Sequence, residues 1–226
     1  TEEYIRKMKT YSSIFESAIA FAKEKLEAFD GGHDWFHTER VLNNARAIWR
    51  EEQQGDLQVI ELAAVLHDIA DTKFGSSSED EGGELAYTFL LDKGLDRDKA
   101  DRIRDIINSI SFRKHKEVSG EQSIEFCIVQ DADRLDAIGA IGIARAFNYG
   151  GYKQRPLYDP DIPPVDFSDR ESYKKSTAPT INHFYEKLFL LKDMMHTDAA
   201  KKIASERHDF MEIFLEKFLE EWKMEG

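Results

Sequence analysis

Leu57-Gln58-Val59-Ile60-Glu61-Leu62-Ala63-Ala64-Val65-Leu66-His67-Asp68 is the stretch that decides how this chain folds. A run so apolar and so rich in Ala and Leu is expected to form a short helix, spanning Leu57 to Ala70, buried on every side. It closes on a histidine and an aspartate. Burying a carboxylate costs on the order of several kcal/mol unless it is paired or bound to a metal, so His67-Asp68 demands a partner from elsewhere in the chain.

The segments around this run repeat the helical period. Ile5 to Phe29 places Ile14, Ala18, Phe21, Ala22, Leu26 and Phe29 on one side and meets a breaker at Gly31-Gly32. A second helix is expected to start after Asp34, whose carboxylate can cap free backbone N–H groups, and to run through Val41, Leu42, Ala45 and Ile48 toward Gly55. Ser78-Glu79-Asp80-Glu81 reads as the entry of a helix reaching Leu95, and Asp96 to Ser109 carries Ile103, Ile106 and Ile107 on a face that Ile110 extends.

Ser123 to Tyr149 reads as one long helix, with Ala137, Gly139, Ala140, Gly142 and Ala144 allowing close approach. Gly150 to Ser168 holds Pro156, Pro160, Pro163 and Pro164 and lacks periodicity, so a long surface loop is expected at 150–168, suited to a lid or an oligomer contact. Amphipathic helices over Glu171 to Met195 and Thr197 to Trp222 close the chain. With no internal repeat and no alternating strand pattern, the expectation is an all-α, single-domain helical bundle over 1–226.

Composition narrows the function. The 226 residues include 15 Phe, 8 Tyr and 3 Trp and are 41% hydrophobic, which supplies a core, while 33% charged residues rule out a membrane-spanning chain. No apolar stretch approaches the roughly 20 residues of a transmembrane helix, and Thr1–Thr10 lacks the apolar centre of a signal peptide, so a cytoplasmic location is expected. A net charge of -13 repels nucleic-acid backbones and anionic membranes. The single cysteine, Cys127, sits in an apolar run and is read as a small packed hydrophobe.

Three His-Asp pairs occur, and context separates them. His208-Asp209, beside Ser205-Glu206-Arg207, reads as a solvated face, and His33-Asp34 as a loop and helix cap. Only His67-Asp68 follows a buried helix. Adjacent helical residues differ by about 100° in direction, so both can converge on an ion beside the helix end if other helices contribute ligands. His37, one turn into its helix, and Asp133, in the carboxylate-crowded Gln130-Asp131-Ala132-Asp133-Arg134-Leu135-Asp136, are the polar residues oddly placed for a core. Two imidazoles and two carboxylates suit one divalent ion, with manganese first and nickel, cobalt, iron, zinc or magnesium as alternatives.

His37, then His67-Asp68, then Asp133 within Asp-Ala-Asp-Arg-Leu-Asp resembles the H…HD…D signature of the HD-domain metal-dependent phosphohydrolases. The flanks His33-Asp34-Trp35-Phe36-His37-Thr38-Glu39-Arg40-Val41 and Val65-Leu66-His67-Asp68-Ile69-Ala70-Asp71-Thr72-Lys73-Phe74 are similar to the small stand-alone bacterial branch. So is the run from Asp131 through Arg145. The resemblance implies a helical bundle around a metal held by His37, His67, Asp68 and Asp133. It also implies that Asp71 activates or shuttles protons to water; Asp34 or Asp136 could substitute. Phosphate oxygens would meet Lys73 and Arg134, or Arg113 and Lys114 in the basic cluster around His115, a cluster that reads equally well as a solvated helix end.

Members with two metals need further histidines between the His-Asp pair and the last Asp, and this chain offers only His115. A mononuclear site follows. The small bacterial branch implies (deoxy)nucleoside triphosphates cut to the monophosphate and pyrophosphate, with a guanosine alarmone 3′-diphosphate hydrolase or a 5′-nucleotidase as alternatives within enzymes. A non-catalytic metal or nucleotide sensor is the alternative of another class. The apolar C-terminal helices leave a homodimer open.

Overall fold

The computed structural model describes residues 2–27, 34–70, 81–110, 122–165 and 177–223. Among them there are helices and connecting turns but no strand, as expected of an all-α chain. The contacts divide the chain into two compact units, Thr1–Ala132 and Asp133–Gly226, and the boundary falls inside one helix.

In the first unit, α1 spans Glu2–Leu26, α2 Trp35–Glu52, α3 Leu57–Leu66, α4 Glu81–Asp92 and α5 Arg97–Ser109, and α6 begins at Ile124. The core is α3. Val59 to Leu66 are all buried, and α1, α2 and α5 pack around them. Each fully buried Val, Ile or Leu contributes roughly 1.5–3 kcal/mol, so this short helix anchors the unit although ten residues would not stay helical alone. Polar braces fix its neighbours: Tyr11 Oη donates to Glu61 Oε2 at 2.5 Å, and Arg46 Nε to Glu61 Oε1 at 2.7 Å. Burial and the Glu61 carboxylate together push the Tyr11 phenol above its ordinary range.

Helix ends follow the sequence signals. Asp56 Oδ1 accepts from the Gln58 amide at 3.0 Å, and Asp96 Oδ1 from the Asp98 amide at 3.0 Å. Helix α4 closes on Gly94 at φ +83, where the Leu95 amide donates to Leu90 O at 2.9 Å and the Gly94 amide to Leu91 O at 3.0 Å, a pairing that needs a left-handed residue. Up to Ala132, α6 is tied to this unit by polar contacts, including a bond from Arg102 of α5 to Glu125. The Asp56 amide donates to Glu125 Oε1 at 2.9 Å, Asn44 Nδ2 to Ala132 O at 3.1 Å, and Gln130 Nε2 to Ile110 O at 3.3 Å.

The second unit corrects the long helix expected over 123–149. Helix α6 ends at Asp136 and α7 runs Gly139–Tyr152. The break has a local cause: Gly139 adopts φ +75, and the Ala137 amide turns back to Arg134 O at 3.0 Å. Gly142 lets the corner fold tightly, since a Cβ there would lie 2.3 Å from Ala137 O. The small residues therefore serve a turn of the chain on itself.

Because α7 continues to Tyr152, the Pro-rich loop starts later than expected; 153–165 is non-helical, and 166–168 lie outside the described residues. The loop is tied down, for the Thr180 and Ile181 amides donate to Pro156 O and Leu157 O at 2.9 and 3.0 Å. The helix expected over 171–195 is also corrected: 171–176 lie outside the described residues, and the rest is a π-helical turn, Phe184–Leu188, followed by a 3-10 helix, Phe189–Met194. Pro179 explains the late start, because it lacks an amide proton and disfavours helical geometry at Ala178. Helix α8, Asp198–Lys223, buries Ala200, Ala204, His208, Met211 and Leu215 and packs on α7. The Phe147 ring is 6.2 Å from Phe184 and 6.0 Å from Phe214.

His183 heads the π-helical turn, and burial, reinforced by Lys187 and Arg155, pushes its imidazole down to about 3 from an ordinary 6.5. The folded chain therefore keeps His183 neutral where the unfolded chain protonates it. Stability is full above pH 6.5 and falls as the pH drops toward 3, with a limiting slope of about 1.4 kcal/mol per unit. Urea unfolding between pH 7 and 4 should show this acid slope, and His183→Gln should make it shallower.

Candidate metal centre

The N-terminus of α2 is built by Asp34, whose Oδ1 accepts from the His37 amide at 2.9 Å. The cap expected from the sequence is thus present, and it fixes the turn that carries His37. The His37 side chain points inward and is 1% exposed. At the other helix end, His67 is the C-cap of α3 and is 7% exposed. Its Nδ1 lies 2.8 Å from Ala64 O, and since a carbonyl only accepts, that nitrogen carries the proton.

The tautomer decides the chemistry. With Nδ1 protonated, His67 Nε2 presents a lone pair, and it lies 3.4 Å from Asp68 Oδ2. His37 Nε2 lies 3.5 Å from the same oxygen, with the two rings 5.3 Å apart at an edge-on 66°. The ring nitrogens stand within 4.8 Å of each other. The His67 lone pair directed at a carboxylate oxygen is repelled unless positive charge sits between them. Asp68 keeps 29% of its side chain accessible, so the position has a route to solvent while both imidazoles are sealed. Two imidazole nitrogens and a carboxylate oxygen converging in this way fit a divalent transition ion.

Asp133 belongs to α6 and is half-buried. It directly follows Ala132, whose carbonyl accepts from Asn44 of α2, the helix that carries His37.

The HD-domain profile matches residues 35–138, a span containing all four of these side chains. An HD-superfamily hydrolase from Bacillus thuringiensis is 40% identical, with 95% of this chain and all of that chain covered and a TM-score of 0.76. The chain belongs to the HD-domain family. YpgQ of Bacillus subtilis is 42% identical over 181 residues, 80% of each protein. A crystal structure of YpgQ in complex with ADP superposes with a TM-score of 0.74 at 35% identity, covering 96% of this chain and 98% of that one. As an HD-domain protein the chain is a metal-dependent phosphohydrolase. Among the described residues no helix is long and apolar enough to cross a membrane.

The other residues singled out in the sequence take different places. Asp136 is 2% exposed, and Arg145 Nη1 donates to its Oδ2 at 2.5 Å, so its carboxylate is held in an ion pair. Arg134 is buried, with its guanidinium donating to Met194 O and standing 3.2 Å from His196 Nε2, so it is committed to the chain itself. Asp71, Lys73, Arg113, Lys114 and His115 lie outside the described residues. His208 is not on a solvated face; it is buried against the Phe189 ring at 4.9 Å, with Nε2 3.4 Å from Glu212. Lys23 of α1 lies over the Trp35 ring at 4.7 Å from its centroid, and Phe36 is exposed.

Sequence reasoning missed Arg145. The signal was present, because a buried Asp136 requires a cation and Arg145 is the one basic residue within Gly139–Tyr152.

The Asp34 cap generates a prediction. Asp34→Ala should lower the unfolding free energy by about 1 kcal/mol and weaken divalent-ion binding by loosening the turn of His37, while Asp34→Ser should restore most of both. Urea unfolding of metal-free protein and calorimetric metal titration read the two effects separately.

Proposed function

We propose that this HD-domain enzyme hydrolyses nucleoside triphosphates, deoxy ones included, to the monophosphate and pyrophosphate, using one divalent ion, manganese first, held by His37, His67, Asp68 and Asp133. The observation that carries it is the convergence of two buried imidazole nitrogens on one Asp68 oxygen at 3.5 and 3.4 Å. Asp133 is taken as the fourth group from the H…HD…D pattern, and it directly follows Ala132, whose carbonyl accepts from Asn44 of α2. The nucleotide class is supported by YpgQ, which has been crystallised with ADP.

When bound, a divalent ion supplies Lewis-acid polarisation of a phosphoryl oxygen and lowers the pKa of water. The protein's own groups do the rest. His67, locked by Ala64 O, offers only Nε2, and the Asp34 cap holds His37 in register. Asp71, three residues past Asp68, accepts the proton lost by the attacking water, an assignment favoured by the Asp136 carboxylate being held by Arg145. With Arg134 turned to Met194 O, the phosphate oxygens fall to Lys73, Arg113 and Lys114.

Purified protein loaded with manganese is incubated with a panel of nucleotides, and phosphate, pyrophosphate and triphosphate are separated by ion chromatography. Pyrophosphate and monophosphate from triphosphates are expected. Phosphate from monophosphates would instead identify a 5′-nucleotidase, and pyrophosphate released only from a guanosine 3′-diphosphate would identify an alarmone hydrolase. Full metal occupancy without turnover of any compound would mean a sensor. The paired change His67→Ala with Asp68→Asn should lower bound manganese, measured by elemental analysis, and reduce activity by more than about a hundredfold, beyond the usual loss from an outer-shell change.

A further inference from the structure

Asp133 stands in the last turn of α6, where the final carbonyls of a helix have no donor within the helix and the backbone frays unless something else holds it. This helix has no glycine cap; side chains of the 133–226 unit hold its end. Arg207 of α8 donates from Nη1 to Leu135 O at 2.5 Å. Arg145 of α7 donates from Nη1 to Asp136 O at 3.2 Å and to Asp136 Oδ2 at 2.5 Å. The Ile138 amide also reaches Leu135 O, at 3.4 Å. Guanidinium groups at a helix C-terminus are favoured in addition by its partial negative charge. The seat of Arg207 is shaped for it, since Gly139 leaves room where a Cβ would meet Arg207 Cβ and Cγ at 3.0 Å.

We propose that Asp136, Arg145 and Arg207 are positioning residues that hold the final turn of α6 and thereby set the Asp133 carboxylate for the metal. The inference rests on Asp133 being a ligand, as argued above. The physical link is tolerance: a metal–ligand bond accepts only about 0.2 Å of displacement, and a fraying turn moves its side chains by far more. Asp136 lies three residues beyond Asp133, on the neighbouring strip of the same helix, so restraint at one is transmitted to the other through a single turn.

The test uses the full chain stripped of metal. Manganese affinity is measured by calorimetric titration for the wild type, Asp133→Asn, Asp136→Asn, Arg145→Met, Arg145→Lys and Arg207→Met, beside hydrogen exchange over 133–138 and melting of the metal-free protein. Asp136→Asn, Arg145→Met and Arg207→Met should each weaken manganese binding roughly tenfold and speed exchange in 133–138, with Arg145→Lys recovering part of the loss. If these variants melt earlier yet bind manganese as tightly as the wild type once folded, the residues are merely structural and the inference is overturned. Arg145→Met leaves a buried carboxylate without its cation; should it not fold, Asp136→Asn and Arg207→Met decide the same question. Unchanged affinity in Asp133→Asn would overturn the ligand assignment itself, whereas loss there with normal binding in the other variants overturns only the positioning role.

Discussion

Two sealed imidazoles turn a nitrogen each toward one oxygen of Asp68, and the first unit of this protein is arranged around that convergence. His37 and His67 are sealed from solvent, and their nitrogens face the same oxygen of Asp68. Sealing two imidazoles beside a carboxylate costs free energy, and a divalent cation bound among them would offset that cost. The hydrogen bond from His67 Nδ1 to Ala64 O settles which nitrogen is available, so a backbone carbonyl at the end of α3 controls the chemistry of the side chain beside it.

The same economy recurs at each helix end near these residues. The start of α2 spends its free amides on Asp34, which brings His37 to a defined rotation. The end of α3 leaves a carbonyl for His67, and the end of α6 leaves carbonyls that Arg145 and Arg207 occupy. Helix termini are where backbone groups remain unmatched, so a side chain there can be oriented by bonds that the middle of a helix does not offer. Stability and site geometry are thereby drawn from one set of contacts.

The 133–226 unit uses a different kind of cohesion. Phe147, Phe184 and Phe214 interlock between α7, the π-helical turn and α8, and the proline-bearing loop is stitched to Thr180 and Ile181 through backbone bonds and to the Asn182 side chain. Aromatic rings supply large buried area with few rotatable bonds, which suits a segment whose backbone leaves regular α-helical geometry at Phe184–Met194. His183 sits at the edge of that packing and carries its cost as a depressed proton affinity.

Read alone, the residues established the helical class, the cap at Asp34, the apolar run that α3 buries and the singular character of His67-Asp68, because each is a local matter of period, cap chemistry or the price of burying charge. Only the tertiary structure decided the break at Gly139, the π and 3-10 turns after Pro179, the burial of His208, and the commitment of Arg134 and Asp136 to partners within the chain. Those outcomes depend on groups distant in sequence or on a backbone angle that a small residue permits but does not require. Periodicity reports which way a side chain points along its own helix; what it meets there is set by the helices that pack against it.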